Sequence, residues 1–275
     1  MRLLATGFAL AEAPTLTDDG TLLVSSALGG GLRRLSRDGD TLELLVPERK
    51  GIGGAALDMA GRPIVSGRDV VRLGDGEPAV LLPRGEPVTG FNDIAATPEG
   101  GLLAGALHFS PLGGGAPVPG TLRYRAPDGA VSVWHQGIAW PNGIGFSPDG
   151  ATVYVVDYPG GIVLAGPWDP RRPGALTPLC TSPSGQFDGL AVAADGSLLV
   201  ALAGGGGVGW FSPDGALREV LDVPANFVSS VCFAGDGLTD LIVTTLDNTV
   251  RPEEGGAVFL APAPVPGAPV PRYRG

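Results

Sequence analysis

Short apolar segments that follow glycine turns recur along the whole chain. The stretches DDGTLLVSS, MAGRPIVSG, PEGGLLAGA, PDGATVYVVDY, ADGSLLVALA and GDGLTDLIVTT each combine a turn with a strand pattern. Their turn glycines are separated by 41, 39, 50, 46 and 41 residues and are Gly20, Gly61, Gly100, Gly150, Gly196 and Gly237. A period of about 40 to 50 residues built from short strands is typical of the four-stranded blades of a β-propeller. The pattern therefore predicts six blades.

The remainder of each period predicts a second hairpin. Examples are TLRYRAPDGAVSVW and VGWFSPDGALREVL, in which two strand patterns flank a glycine turn. No stretch has a convincing helical pattern. We predict an all-β fold, a six-bladed β-propeller that forms a single domain over residues 1–275.

The sixth period ends before it has room for a fourth strand. A closed ring has to hide its strand edges, so one terminus should supply the missing strand. The first candidate is RLLAT, Arg2 to Thr6. The proline-rich tail, residues 262–275, is expected to pack loosely.

Composition narrows the possible partners. The 46 glycines and 27 prolines fall beside strand patterns, which favours turns over disorder. The net charge is −10 and no basic stripe is present, which argues against nucleic acid and anionic membranes as partners. No apolar run is long enough for a transmembrane helix, and Thr6 and Gly7 interrupt the apolar start, so we expect a cytoplasmic protein.

Cys180 and Cys232 are interpreted as buried apolar residues rather than a disulfide pair. The oligomeric state is left open.

Polar side chains precede the apolar inner strands of several blades. They occur in the segments AEAPTL, GFNDI, WPNGIGF and FDGLAV and are Glu12, Asn92, Asn142 and Asp188; blade six offers Asn226, Ser229 and Ser230. Inner strands of neighbouring blades converge on the propeller axis, so these groups should meet at one mouth of the central channel. Several oxygen ligands at one point are typical of a hard cation site.

The motifs EAPTL, FNDI, WPNGIGFSPDG and FDGLAVAADG resemble those of the senescence-marker-protein/gluconolactonase/luciferin-regenerating-enzyme family, over nearly the whole chain. The family is a six-bladed propeller with one divalent metal at the channel mouth. The resemblance implies that Glu12, Asn142 and Asp188 are metal ligands, and that Asn92 binds substrate or a metal-bound water. Members of the family hydrolyse sugar lactones and related esters, and some cleave organophosphates.

Two positions depart from the family pattern. The family often has an arginine two residues before the asparagine of FND, where this chain has Gly90, and it usually has EGP where this chain has Glu12-Ala13-Pro14. Phe91, Trp140 and Phe187 adjoin the polar set, so we expect an apolar mouth and a less hydroxylated substrate than a sugar lactone. His108 either reaches this pocket or has a packing or surface role.

These observations predict a divalent-metal-dependent hydrolase that acts on a lactone or related ester, a small-molecule substrate. Asp188 is the expected general base, and Asn92 is expected to position water or substrate. Ligation by oxygen alone favours Ca²⁺, with Zn²⁺, Mg²⁺ and Mn²⁺ as alternatives. A metal-dependent phosphotriesterase, lyase or isomerase remains open as an alternative, as does a non-catalytic binding propeller. The insertion FSPLGGGAPVPG, residues 109–120, is either a lid over the mouth or a loose loop.

Overall fold

Six four-stranded antiparallel sheets make up the computed structural model, which describes residues 1–111 and 116–275. Each sheet is one blade, and blades one to five each consist of four consecutive strands. The prediction of a six-bladed β-propeller is therefore confirmed. The strands of blades one to three are β2 (Ala11–Leu16), β3 (Leu22–Ser26), β4 (Leu32–Leu35), β5 (Thr41–Leu45), β6 (Ala55–Leu57), β7 (Pro63–Val65), β8 (Val70–Arg72), β9 (Ala79–Leu82), β10 (Gly90–Ala96), β11 (Leu102–Leu107), β12 (Gly120–Arg125) and β13 (Val131–Ile138).

Blades four to six complete the ring. Their strands are β14 (Pro141–Phe146), β15 (Thr152–Asp157), β16 (Ile162–Pro167), β17 (Thr177–Thr181), β18 (Gln186–Val192), β19 (Leu198–Ala203), β20 (Gly207–Phe211), β21 (Leu217–Asp222), β22 (Val228–Ala234), β23 (Asp240–Thr245), β24 (Gly256–Pro262) and β1 (Arg2–Phe8). Short 3-10 helices occur at Asp236–Leu238 and Pro252–Glu254. Within the described residues, no helix is long and apolar enough to span a membrane.

The core is divided into six buried apolar clusters, one at each interface between neighbouring blades. The middle strands of the blades are buried on both faces; β19, for example, is buried at all six of its residues. This explains why their sequences are continuous apolar runs rather than alternating ones. Cys180 and Cys232 are both free, as expected.

The amino-terminal strand closes the ring. In blade six β1 pairs antiparallel with β24, from Arg2 opposite Leu260 to Phe8 opposite Gly256, and so becomes the outermost strand. This confirms the prediction that the start of the chain supplies the missing strand.

The carboxy-terminal tail is firmly packed, which corrects the expectation of a loose segment. Tyr273 is fully buried in the cluster between blades two and three, and its hydroxyl accepts a hydrogen bond from Arg125 Nε at 2.8 Å. Upstream of it, Ala268 N donates to Val192 O of blade five at 3.0 Å. The tail thus crosses the end of the channel from blade five to blade two, using main-chain hydrogen bonds that its proline content had obscured.

Candidate active site at the channel mouth

A β-bulge interrupts five of the six inner strands where each of them enters the ring. In blade four, for instance, three steps along β14 from Pro141 to Ile144 match two steps along β15 from Asp157 to Val155. The same one-residue excess occurs in β2, β10, β18 and β22. Bulges re-aim side chains and are frequent next to active sites. Asn92, Asn142 and Asp188 all occupy the first unpaired position of their bulges.

Glu12 lies one position earlier than these three residues. It is still paired with Ser25, and the residue at the bulge position of blade one is Ala13. Ala13 has a φ of 52°, in the left-handed region that a side chain with a Cβ rarely adopts. Glutamate is one methylene longer than aspartate, so a paired position can still present a carboxylate to the neighbouring bulges.

Asn142 and Asp188 are joined directly. Asn142 Nδ2 donates a hydrogen bond to Asp188 Oδ1 across the interface of blades four and five. Both residues are buried, as is Glu12. Burial raises the pKa of both Glu12 and Asp188, and the Asp188 charge raises the pKa of Glu12 further. Among the described residues, no Arg, Lys or His forms an ion pair with either carboxylate.

Asp93 is a third carboxylate at the site, half-buried, that the sequence analysis missed. Its Oδ1 accepts a hydrogen bond from Ile94 N at 2.7 Å, and its Oδ2 accepts one from Ile144 N of the next blade at 3.2 Å. Burial raises its pKa to about 7. The available signal was its position directly after Asn92, because a bulge leaves two successive residues out of the strand alternation.

Blade two contributes space to the site rather than a side chain. Its inner strand is preceded by Gly53 and Gly54, whose amides both donate to Ser66 Oγ, at 3.1 and 2.9 Å. A Cβ on Gly53 would overlap Asn92 Oδ1, and one on Gly54 would overlap Asp93 Oδ1. Asn92 is in turn held toward blade four, because its Nδ2 donates to Pro141 O at 3.2 Å.

Two of the residues predicted to contact substrate lie in the core instead. Phe187 is fully buried between blades four and five, edge-on to Phe211 at 5.4 Å between ring centroids. Phe91 is buried between blades two and three. In a strand, neighbouring side chains point to opposite sides, so a residue directly before a site residue faces the blade interface. This corrects the expectation that both rings make the mouth apolar.

An aromatic group does adjoin Asn142. Trp140 is half-buried, and its ring lies 4.8 Å from that of Tyr158 and 5.1 Å from that of Phe109. The indole Nε1 is buried without a hydrogen-bond partner among the described residues. His108, also predicted, is half-buried at the end of β11 with its Nε2 3.5 Å from Thr121 Oγ1. Residues 112–115 of the predicted lid lie outside the described residues.

Residues 10–247 match the family model described as the SMP-30/gluconolactonase/LRE-like region. The chain belongs to this family.

Named relatives agree with this assignment. The chain is 31% identical over 266 residues to a 6-deoxy-6-sulfogluconolactonase of Pseudomonas putida, covering 90% of this chain and 89% of the relative. It is 32% identical to a pentonolactonase of Haloferax volcanii over 162 residues, which cover 57% of this chain and 53% of the relative. The structure resembles that of regucalcin from Agrobacterium tumefaciens, a calcium-binding protein, with a TM-score of 0.86 and 25% identity over 99% of this chain and 97% of that one. The prediction of a lactonase-type enzyme is consistent with both named lactonases.

Gly90, one departure from the expected family pattern, sits in a tight place. It precedes Phe91, whose N and O atoms pair with Gly67 of blade two. A Cβ on Gly90 would lie 3.1 Å from Gly67 O. An arginine here would therefore require a shift of a few tenths of an ångström in blade two.

A cavity of about 360 Å³ lies in the central channel, on the side of the site toward which the inner strands run. Its wall includes Asp93, the lower halves of the inner strands and tail residues 268–272, but not Glu12, Asn142 or Asp188. The tail forms the wall of this cavity at the end opposite to the one where the inner strands begin.

Proposed function

We propose that this protein is a divalent-metal-dependent lactonase that hydrolyses a lactone or related ester at the channel mouth. One observation carries the proposal: two carboxylates, Glu12 and Asp188, are buried close together, and no basic side chain within residues 1–111 and 116–275 forms an ion pair with either of them. Such a charge is costly to bury unless it is paired or binds a metal. The lactonase names of two relatives support the reaction class.

The donor set fits a hard cation. Within residues 1–111 and 116–275, no three side chains of His, Cys, Asp or Glu come together as a metal site. The proposed set instead combines two carboxylates with an amide, and no described residue donates a hydrogen bond to Asn142 Oδ1, Asp188 Oδ2 or Glu12 Oε1. Oxygen ligands favour Ca²⁺, and the similarity to a calcium-binding regucalcin favours the same ion.

The residues of the site would have different roles in lactone hydrolysis. When bound, a divalent cation would polarise the substrate carbonyl and lower the pKa of water. Asp188 would also accept a proton from the attacking water. Asn92 would orient water or substrate without binding the metal. Its Nδ2 donates to Pro141 O, and its Oδ1 occupies the space that a Cβ on Gly53 would fill.

The test compares chelator-treated protein with protein restored with Ca²⁺, Zn²⁺, Mg²⁺ or Mn²⁺. Hydrolysis of γ- and δ-lactones, an aryl ester and a phosphotriester is followed by acid release. We expect lactone hydrolysis only with metal. Asn92→Ala should keep its metal and lose roughly 100-fold or more in kcat, as for other lost transition-state hydrogen bonds. Gln136→Ala, at an exposed amide on the outermost strand of blade three, is the matched control.

Two results would contradict the proposal. If the metal-loaded protein hydrolyses no lactone or ester, a phosphotriesterase, lyase or isomerase reaction takes its place. If Asn92→Ala loses metal, Asn92 is a ligand and the division of roles is wrong.

A further inference from the structure

Tyr158 is held rigidly next to the proposed site. It follows the end of β15, and its main-chain N donates to Trp140 O at 3.1 Å. The preceding residue, Asp157, accepts hydrogen bonds from Ala139 N and Trp140 N at 3.2 and 3.1 Å. The loop that leads into Asn142 and the end of this hairpin are thereby fixed to each other. The ring of Tyr158 packs against Trp140 at an interplanar angle of 44°.

The phenol of Tyr158 lies within the electrostatic reach of the site. Burial and then the charges of Asp188 and Glu12 raise its pKa to about 12. A phenol is protonated near neutral pH even without this shift, so the hydroxyl is a hydrogen-bond donor. No described residue accepts a hydrogen bond from its hydroxyl, and the side chain is only half-buried. A donor with these properties is available to a bound molecule.

Lactone hydrolysis includes a step that a hydrogen-bond donor would assist, namely the departure of the ring oxygen. Glu12 and Asp188 are assigned to the cation, both oxygens of Asp93 already accept main-chain hydrogen bonds, and one hydrogen of Asn92 Nδ2 is donated to Pro141 O. The ring oxygen of an aliphatic lactone leaves as an alkoxide, a poor leaving group on which negative charge develops. Trp140 Nε1 and the Tyr158 hydroxyl are donors here without a partner among the described residues, but Trp140 Nε1 is buried, so the Tyr158 hydroxyl is the one that a bound molecule can reach.

We propose that the Tyr158 hydroxyl hydrogen-bonds the ring oxygen of the substrate and stabilises it as it leaves. This inference rests on the proposed function. The water oxygen bonds to the carbonyl carbon, and the bond between that carbon and the ring oxygen breaks. The proton that Asp188 takes from water is the one that the ring oxygen finally gains, so the products are a carboxylic acid and an alcohol. Tyr158 ends the reaction unchanged. The site is thus suited to aliphatic hydroxy-acid lactones, whose leaving oxygen is most basic.

The experiment compares Tyr158→Phe with wild type on two lactones that differ in their leaving group. Cleavage of δ-valerolactone expels an alkoxide, and cleavage of dihydrocoumarin expels a phenolate that needs little help. We expect kcat to fall roughly 10- to 100-fold for δ-valerolactone and less than about 3-fold for dihydrocoumarin. Metal content, measured by elemental analysis, should not change. A role in packing alone would reduce both rates by the same factor.

Tyr154→Phe is the matched control, since Tyr154 lies four residues earlier in the same hairpin and is buried between blades four and five. It should leave the ratio of the two rates unchanged. Equal losses on both lactones in Tyr158→Phe, no loss on either, or loss of metal would each overturn the role of Tyr158. A wild-type protein that hydrolyses neither lactone would instead overturn the proposed function itself.

Discussion

Asn142 Nδ2 donates a hydrogen bond to Asp188 Oδ1, so an amide of blade four directly contacts a buried carboxylate of blade five. The contact exists because a bulge in each inner strand turns these two side chains toward each other. Without a cation, this bond is the one compensation for the buried charge of Asp188 that the described residues provide. Metal affinity and the stability of the metal-free protein should therefore respond in opposite directions when that charge is removed.

Asp188→Asn tests this opposition. We expect Ca²⁺ affinity to fall roughly 100-fold or more, a larger loss than is typical for residues that only support metal ligands. The metal-free variant should melt at a higher temperature than metal-free wild type, because a buried charge has been removed. Calorimetric titration and thermal melts in chelator give the two numbers. Asp38→Asn, at an exposed turn residue whose carboxylate has no partner among the described residues, should change neither; unchanged Ca²⁺ binding in Asp188→Asn would remove the proposed site.

The metal-free protein should lose stability as pH rises. The pKa of Asp93 is about 7 in the folded protein and 3.8 by its ordinary value, because burial disfavours the charged form. Between these pH values the folded state binds the proton more tightly than the unfolded state. The stability that Asp93 contributes is therefore complete below the ordinary value and is lost as pH rises through about 7. The melting temperature in chelator should fall between pH 5 and pH 8.

Asp93→Asn should flatten part of that pH dependence. The remainder should persist, because the pKa values of Glu12 and Asp188 are raised as well. A wild-type melting temperature that stays level or rises over this range would show that these carboxylates are not protonated on burial.

Deletion of residues 2–8 should destabilise the ring. Without β1, the edge of β24 loses its partner and becomes free to pair with other chains. Phe8, which is buried in the cluster between blades one and six, is lost as well. We expect the melting temperature to fall by many degrees and aggregation to increase in light scattering. A synthetic peptide of residues 1–10 should restore part of the loss; a truncated protein that melts like the full chain would refute this role.

Ala13→Gly should stabilise the protein slightly. The φ of 52° at Ala13 costs about 1–2 kcal/mol for a residue with a Cβ, and glycine returns about 0.5–1 kcal/mol of that as chain entropy in the unfolded state. The net gain of about 0.5–1 kcal/mol should raise the melting temperature by about 1–4 °C. A lower melting temperature would mean that the packing of the Ala13 methyl group in the cluster between blades one and two outweighs the strain.

Tyr273→Ala should be costly although Tyr273 lies only two residues from the last one. Truncation of a fully buried aromatic side chain typically destabilises by about 3–5 kcal/mol. Here it also leaves Arg125 Nε without its acceptor. Val270→Ala, at a residue that is 74% exposed, is the control and should be nearly neutral. Denaturant unfolding of both variants measures the difference, and equal midpoints would show that the tail is dispensable.

The sequence predicted the repeats well because their signal is local. All six turn glycines have a positive φ, between 71° and 91°, so the residue type and the conformation correspond one to one. The closing strand could be predicted by counting strands. Tyr273 could not, since its buried position depends on main-chain bonds to Leu57 and Met59, far away in the sequence.

Within the site, sequence position predicted which polar side chains lie close together better than it predicted where their neighbours lie. Asn142 and Asp188 meet as expected, because each begins an inner strand. Phe187 was assigned to the mouth by its proximity to Asp188 in the sequence, yet alternation turns it into the core. Asp93 was overlooked because the bulge in β10 interrupts the alternation of side chains along the strand. No residue type in FNDI indicates that a bulge occurs there.

The pairing of β1 with β24 also determines when blade six can be completed during synthesis. β1, Arg2–Phe8, is synthesised well before its partner β24, Gly256–Pro262. At about 5–20 residues per second, the strand waits on the order of 10–50 s before that partner exists. Blades one to five can form their own sheets in this interval, while an apolar segment ending in Phe8 stays unpaired. Ring closure is therefore a late, long-range event that slows folding. Until β24 has been translated, β1 is therefore an unpaired apolar strand, the kind of segment that is prone to aggregate.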